Sequence, residues 1–349
     1  MGKSLEAYAE TEPALEELRA TNARLLRALD KAEASKEELI DAVYRASRDA
    51  MSSFEVPTVP KPNLGGKPGT PHVAVAIAAD WQLAKRTPSY NTAVCEKRVK
   101  HYAQVVNRLT EIHRNAYPVN ECRLYLLGDL VEGEMIFPGQ AHRIDASLYR
   151  QVLVDGPRIL VGLVRSLLAT FSKVHVVGVI GNHGAIGGRD RKDMHPETNA
   201  DSMMYETSRL ILENEPRLTW DPNMLAGERK WCAVDKIGEK RYLLFHGDQA
   251  KGGGGIGGLP FTGLTKAVLK WSNGGINEPF DYAFCGHHHT PTKLQIGNKK
   301  LWVSGSTESD NTYASEWFHA QGAPTQWLFF AHPRRGIVAP YEVDLSEAR

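Results

Sequence analysis

Five apolar runs in this sequence each stop at residues able to hold a metal ion or move a proton. They run from Val73 to Asp80 and Gln82, from Arg123 to Gly128, Asp129 and Glu132, from Val174 to Gly181, Asn182 and His183, from Arg241 to His246 and Asp248, and from Tyr282 to Gly286, His287, His288 and His289. A short apolar run closed by a turn residue reads as a buried parallel strand. Such strands deliver their last side chains to the carboxyl edge of a sheet, where α/β proteins build their sites. Singly, each has a plain explanation, because a glycine and an aspartate close many ordinary strands and a lone histidine at a strand end is commonly just solvated. Their shared position at one sheet edge favours ligation. Carboxylate, amide oxygen and imidazole together suit Mn, Fe, Zn or Ni better than Ca, which prefers oxygen alone.

The elements that must position these residues follow from the pattern between them. Helical stretches at 92–115, 146–171, 200–213 and up to about 271 alternate with the strands, an order that gives a mostly parallel sheet with right-handed crossovers. The segments 293–296, 300–304, 326–331 and 337–343 read as short strands that finish a second sheet. The fold class expected is therefore α/β, a two-layer β-sandwich core flanked by helices and preceded by a helical N-terminal region.

Residues 1–54 form that helical leader, rich in Ala, Leu, Glu, Lys and Arg. Leu15, Leu18, Asn22, Leu25, Leu29, Ala32, Lys36, Leu39, Val43 and Ala46 recur at alternating steps of three and four, a heptad seam with polar residues at two core positions. The seam predicts either a coiled-coil homodimer through this helix or a helix packed on its own catalytic domain. Residues 55–71 hold five prolines and three glycines, too many for a helix or central strand, so they read as an extended linker. The remaining 72–349 form the catalytic domain.

A net charge of +1 excludes a whole-protein attraction to nucleic acid or anionic membrane, so any polyanion must be held locally. Cys95, Cys122, Cys232 and Cys285 form no closely spaced pair, which argues against a zinc ribbon or a disulfide framework. The N-terminus lacks the apolar core of a signal peptide, and no stretch is apolar over the length of a membrane span. The expectation is a soluble cytoplasmic protein with no membrane partner.

In order and spacing, the five blocks resemble the signature blocks of the calcineurin-like metallophosphoesterases, over about residues 72–310. The resemblance implies a dinuclear centre of two divalent ions, manganese first, with Fe, Zn, Ni or Mg as alternatives. Asp129 would bridge the two. Asp80, Gln82 and His289 would hold one ion with it, and Asn182, His246 and His287 the other. His183 would be the catalytic partner, stabilising the transition state or protonating the leaving oxygen. The sequence departs from the family pattern at Gln82, where a histidine is usual, so the first ion would be the more weakly held. Glu132 reads as a supporting acid, and His288 as pointing away.

The substrate is less directly legible. The helical leader, the Gln82 departure and the glycine-rich loop look like the phage and prophage branch of the family, which resembles the nuclease subunits of DNA-repair complexes. That implies a DNA phosphodiesterase, encoded by a phage and working in the bacterial host cytoplasm. The alternatives are an enzyme for small nucleotides or cyclic nucleotides, and a non-catalytic scaffold. Gly253, Gly254 and Gly255 could cradle a phosphate with exposed N–H groups or simply link a strand to a helix. Arg189 belongs to a local basic cluster, and His142 to an unusual loop after the second block. Both are candidate substrate contacts.

Overall fold

The structure is a computed structural model that describes residues 58–62, 64, 68–137, 139–186, 198–224, 231–251, 259–310 and 323–348, together with residue 27. The heptad seam, the loop carrying Gly253, Gly254 and Gly255, and Arg189 lie outside the described residues. In chain order the elements are β1 (His72–Ala78), α1 (Thr92–Arg114), β2 (Val119–Leu126), α2 (Gly156–Leu168), β3 (Lys173–Gly178), α3 (Ala200–Ile211), β4 (Leu218–Trp220), β5 (Cys232–Ile237), β6 (Lys240–Phe245), α4 (Phe261–Lys270), β7 (Tyr282–Cys285), β8 (Thr292–Ile296), β9 (Lys299–Val303), β10 (Thr325–His332) and β11 (Gly336–Asp344).

Two sheets result. The first has the order β11-β10-β1-β2-β3-β4, and the second β5-β6-β7-β9-β8. In the first, β1, β2, β3 and β4 run parallel, with antiparallel β10 added beside β1 and β11 beyond it. In the second, β6, β7 and β9 run parallel, and β5 and β8 flank them as antiparallel edges.

The period-two alternation of strand side chains explains the layers. Val75, Ile77, Tyr125, Leu127 and Val177 of the first sheet meet Tyr242, Leu244, Phe284 and Trp302 of the second, forming the interior of a sandwich. The opposite phase of the second sheet, Leu243, Phe245, Ala283, Cys285, Leu301 and Val303, packs under α4 against Leu264, Val268 and Trp271. Strands covered on both faces read as continuous apolar runs, which is why the sequence signalled them. Burying each large side chain contributes about 1.5–3 kcal/mol.

Helix α1 begins where the Asn91 side chain accepts from the Val94 amide at 3.0 Å, and it buries Val99, Tyr102, Ala103 and Val106, a helical stripe. The Tyr102 hydroxyl accepts from the Ile77 amide and donates to the Trp327 carbonyl, tying the helix to β1 and β10.

Several expectations need correction. The last two strands, β10 and β11, extend the first sheet instead of finishing the second, because β10 pairs with β1. The helix expected over 146–171 is a regular helix only from Gly156 to Leu168, preceded by a wider π-type turn at Arg150–Asp155. Strands β4 and β5 were not foreseen. β4 is three residues long, and β5 carries Asp235 and Lys236, which break its apolar pattern. The described parts of the linker, 58–62, 64 and 68–71, carry no helix, and Arg217 donates to the Val59 carbonyl there at 3.0 Å. All four cysteines are free thiols, and among the described residues no helix is long and apolar enough to cross a membrane.

Candidate metal centre

The carboxyl ends of three parallel strands in each sheet converge on one place. From the first sheet, β1 leads to Asp80, β2 to Asp129 and β3 to Asn182 and His183. From the second, β6 leads to His246, β7 to His287 and His289, and β9 to Glu308.

The backbone at these ends is unusual in a consistent way. Asp80 (φ +50°), Gln82 (+43°), Asp129 (+51°), His287 (+67°) and His289 (+54°) all sit in the left-handed region, and these five are most of the seven non-glycine residues that do among the described residues. Such residues cost on the order of 1–3 kcal/mol each and persist where surrounding structure over-determines them. The crowding is tight enough to dictate glycine beside them. A Cβ on Gly128 would lie 2.4 Å from the Gly181 nitrogen, and one on Gly181 would lie 2.1 Å from Oδ1 of Asp129.

One half of the centre is a compact donor cluster. Nε2 of His246 is 2.9 Å from Oδ2 of Asp129, 3.1 Å from Oδ1 of Asn182 and 3.2 Å from Nδ1 of His287. Two atoms bound to one ion at about 2.1 Å lie about 3.0–3.4 Å apart, so these separations fit a shared divalent ion. Nδ1 of His246 donates to the Leu127 carbonyl at 2.8 Å, which aims Nε2 at the cluster. His246 is fully buried and Asp129 is 1 % exposed. Burial opposes the charge on Asp129, but His246, His183 and His287 outweigh it and hold the carboxyl well below its usual range. Burial likewise works against His246⁺, yet Asp129 raises its pKa to about 10. His287, pressed by burial and by His246 and His288, is pushed well below the ordinary imidazole value.

The other half holds Asp80, Gln82 and His289. Asp80 accepts from the His287 amide on both oxygens at 2.9 Å, and its Oδ1 is 3.4 Å from Nε2 of His289. Nδ1 of His289 faces Oε1 of Glu308 at 2.7 Å. Burial disfavours the charged ring, but Glu308 and Asp80 raise it to about 10. The Gln82 amide nitrogen lies 3.2 Å from the same Nε2, while its oxygen accepts from Lys85 at 2.5 Å. Lys85 also pairs with Glu308 at 2.5 Å. Burial would lower the Lys85 pKa, but Glu308, Glu132 and Asp129 together raise it.

His183 stands beside the donor cluster. Its backbone amide donates to Oδ1 of Asp129 at 2.7 Å, and its ring Nδ1 is 3.1 Å from Oε2 of Glu132. That leaves Nε2, 4.0 Å from Oδ2 of Asp129, as the free edge of the ring. Burial opposes its protonation, but Glu132 and Asp129 raise its pKa to about 9. Glu132 thus orients His183, and Gln140 in turn donates to the Glu132 carbonyl at 2.7 Å.

His142 is not brought into the centre. It is exposed on the short helical turn Gln140–His142, and its carbonyl accepts from Arg86. The His288 ring meets that of His287 edge-on, with centroids 4.9 Å apart, and burial, His246 and His289 lower its pKa to about 4.

Three residues that matter here escaped the sequence reading. Asp201, fully buried at the start of α3, accepts from the amides of Asp129, Leu130, Val131 and Gly181 at 2.9–3.3 Å. Burial and the charge of Asp129 push its pKa up to about 6, against the pull of those donors. An aspartate in a first helical turn looks like an ordinary helix-end charge, so its sequence carries no signal. Glu308 follows β9 after Gly305, the same strand, glycine and acid pattern as the five recognised blocks, and the strand rule would have found it. Lys85 has no sequence signal beyond its closeness to Gln82.

No protein-family model matches the chain, and no curated protein matches it by sequence. Solved structures do match. A novel archaeal phosphodiesterase is 8% identical with a TM-score of 0.37, over 78% of this chain and 99% of its own. Vps29 complexed with zinc, from Entamoeba histolytica, is 13% identical with a TM-score of 0.32, over 78% and 99%. A hypothetical protein from Pyrococcus horikoshii is 14% identical with a TM-score of 0.38, over 78% and 88%. Likeness at this level carries no information about activity.

Proposed function

We propose that this chain is a metal-dependent phosphodiesterase of the calcineurin-like kind. The observation that carries the reading is the convergence of Asp129, Asn182, His246 and His287 on one point, with His183 beside it. A divalent ion bound there polarises a phosphoryl oxygen and lowers the pKa of water to supply hydroxide at neutral pH. The chain's own residues do the rest. Asp129 and Asn182 offer oxygen, and His246 and His287 offer nitrogen, a mixed set that suits manganese, iron, zinc or nickel. His183, held by Glu132, whose charge favours the imidazolium, presents Nε2 to stabilise charge on the phosphoryl group or to protonate the leaving oxygen.

For the substrate we favour a phosphodiester of DNA, on the resemblance of the block series and of the Gln82 departure to the phage branch of the family. A helical leader able to pair two chains in a host cytoplasm belongs to the same reading. Small nucleotides and cyclic nucleotides are the second class.

Two assays test this. Chain loaded with Mn2+ should hydrolyse bis-p-nitrophenyl phosphate, and a metal-free chain should not; equal rates in both would defeat the reading. Linear, nicked and single-stranded DNA set beside cyclic dinucleotides then separate the substrates, and cleavage of only the small molecules would reject the nuclease. Sedimentation of the full chain reads whether it is a dimer.

A further inference from the structure

The resemblance seats a second cation among Asp80, Gln82, His289 and Asp129, and the side chains there do not fit one. The ammonium of Lys85 lies 2.5 Å from Oε1 of Gln82 and 2.5 Å from Oε2 of Glu308. An ammonium only donates, so the atom of Gln82 beside it must be the oxygen. That turns the amide nitrogen toward Nε2 of His289, at 3.2 Å. An amide nitrogen has no lone pair for a cation, and the one donor atom of Gln82 is already committed. The donors that remain are Asp129, whose carboxylate already faces His246 and the His183 amide in the other half, Asp80, whose two oxygens both accept from the His287 amide, and His289, 3.4 Å from Asp80. A cation drawing on the Gln82 oxygen would also face the positive charge of Lys85 across that single atom.

The charge balance points the same way. Asp80, Asp129, Glu132 and Glu308 are all buried, none more than 5 % exposed. Buried carboxylates need positive partners. Lys85 is salt-bridged to Glu308 and supplies such a charge from within the chain.

Resting on the metal-dependent reading above, we propose that the chain holds one divalent ion, at Asp129, Asn182, His246 and His287, and that the ammonium of Lys85, clamped by Gln82 and Glu308, supplies the positive charge at the second cation position. A fixed ammonium cannot ionise water, so it serves only to attract and stabilise the negative phosphoryl group. The centre then combines one exchangeable cation with one that is built in.

Counting ions tests this without reference to turnover. Full chain stripped of metal is saturated with Mn2+, washed and analysed by elemental mass spectrometry and electron paramagnetic resonance. One Mn per chain with the six-line spectrum of an isolated ion is expected. His246→Ala should lose that ion, and His289→Ala should keep it. The double variant Gln82→His with Lys85→Ala should take up a second Mn and give the broadened spectrum of an exchange-coupled pair. Two coupled ions in the wild-type chain, or loss of the ion in His289→Ala, would overturn the proposal while leaving metal dependence standing. Absence of any bound Mn would remove both. If the double variant does not fold, the wild-type count and His289→Ala decide. For the charge itself, Lys85→Met should weaken inhibition by inorganic phosphate at least tenfold with the Mn count still at one, and unchanged inhibition would reject that role.

Discussion

The two halves of the centre start from the same local design and finish differently. Each includes strand ends held in left-handed backbone, each contains a buried aspartate, and each has a histidine whose far nitrogen is pinned. At His246 the pin is the neutral carbonyl of Leu127, and four donor atoms are left facing one another. At His289 the pin is the carboxylate of Glu308, which also draws in Lys85, and Lys85 takes the Gln82 oxygen. Whether a ligand-type residue can ligate is thus set by what else competes for its donor atom.

The contrast can be broken or sharpened by substitution. The largest effect belongs to Asp129→Ala, which removes an oxygen from the donor cluster and the acceptor of the His183 amide. Hydrolysis of bis-p-nitrophenyl phosphate should fall to background and bound Mn should be lost, and retained turnover would dissolve the cluster as the working half. His183→Gln comes next. It should lower kcat by about 10²–10⁴-fold with bound Mn intact, as kinetics and metal analysis on the same sample would show.

Glu308→Gln tests the other half. Losing the charge that pins His289 and Lys85 should reduce kcat/KM by about 10–100-fold, the usual range for residues that orient a site from behind. A fall in bound Mn in this variant would mean that the halves are not separable. Asp201→Asn acts on the frame instead. It turns an N–H₂ toward amides that need an acceptor and should cost about 2–3 kcal/mol of stability, read from the urea midpoint.

The smallest effect lies far from the centre, at the start of β1. His72 is buried against His113, Tyr117 and His332, and burial, His113, His332 and Arg335 lower its pKa to about 4. Because the folded value is depressed below 6.5, the unfolded chain takes up this proton first as pH falls. Stability should therefore decline as pH drops from about 6.5 through about 4, and thermal midpoints of His72→Phe should show a shallower decline.

Much of the site was legible because strand ends announce themselves. An apolar run that stops at glycine and a polar residue is visible in one dimension, and so were Asp80, Gln82, Asp129, Asn182, His183, His246, His287 and His289. Glu308 follows the same rule less visibly, because β9 is short and its acid stands five residues beyond its end. Asp201 and Lys85 could not be read at all. Asp201 works by accepting amides from two loops at least 20 positions before it, and Lys85 by meeting a carboxylate more than 200 positions away. The placement of β10 and β11 was misjudged for a related reason, since sequence order places strands in succession while pairing places β10 against β1.

The sequence by itself determined which residues could ligate and that they stand at the ends of buried strands, because composition and periodicity are local properties of the chain. Only the tertiary structure decided which donors face one another and which are spent. Six strand ends from two sheets meet there, and a hydrogen bond from Lys85 to the Gln82 oxygen depends on the third dimension, as does the tautomer that the Leu127 carbonyl sets on His246.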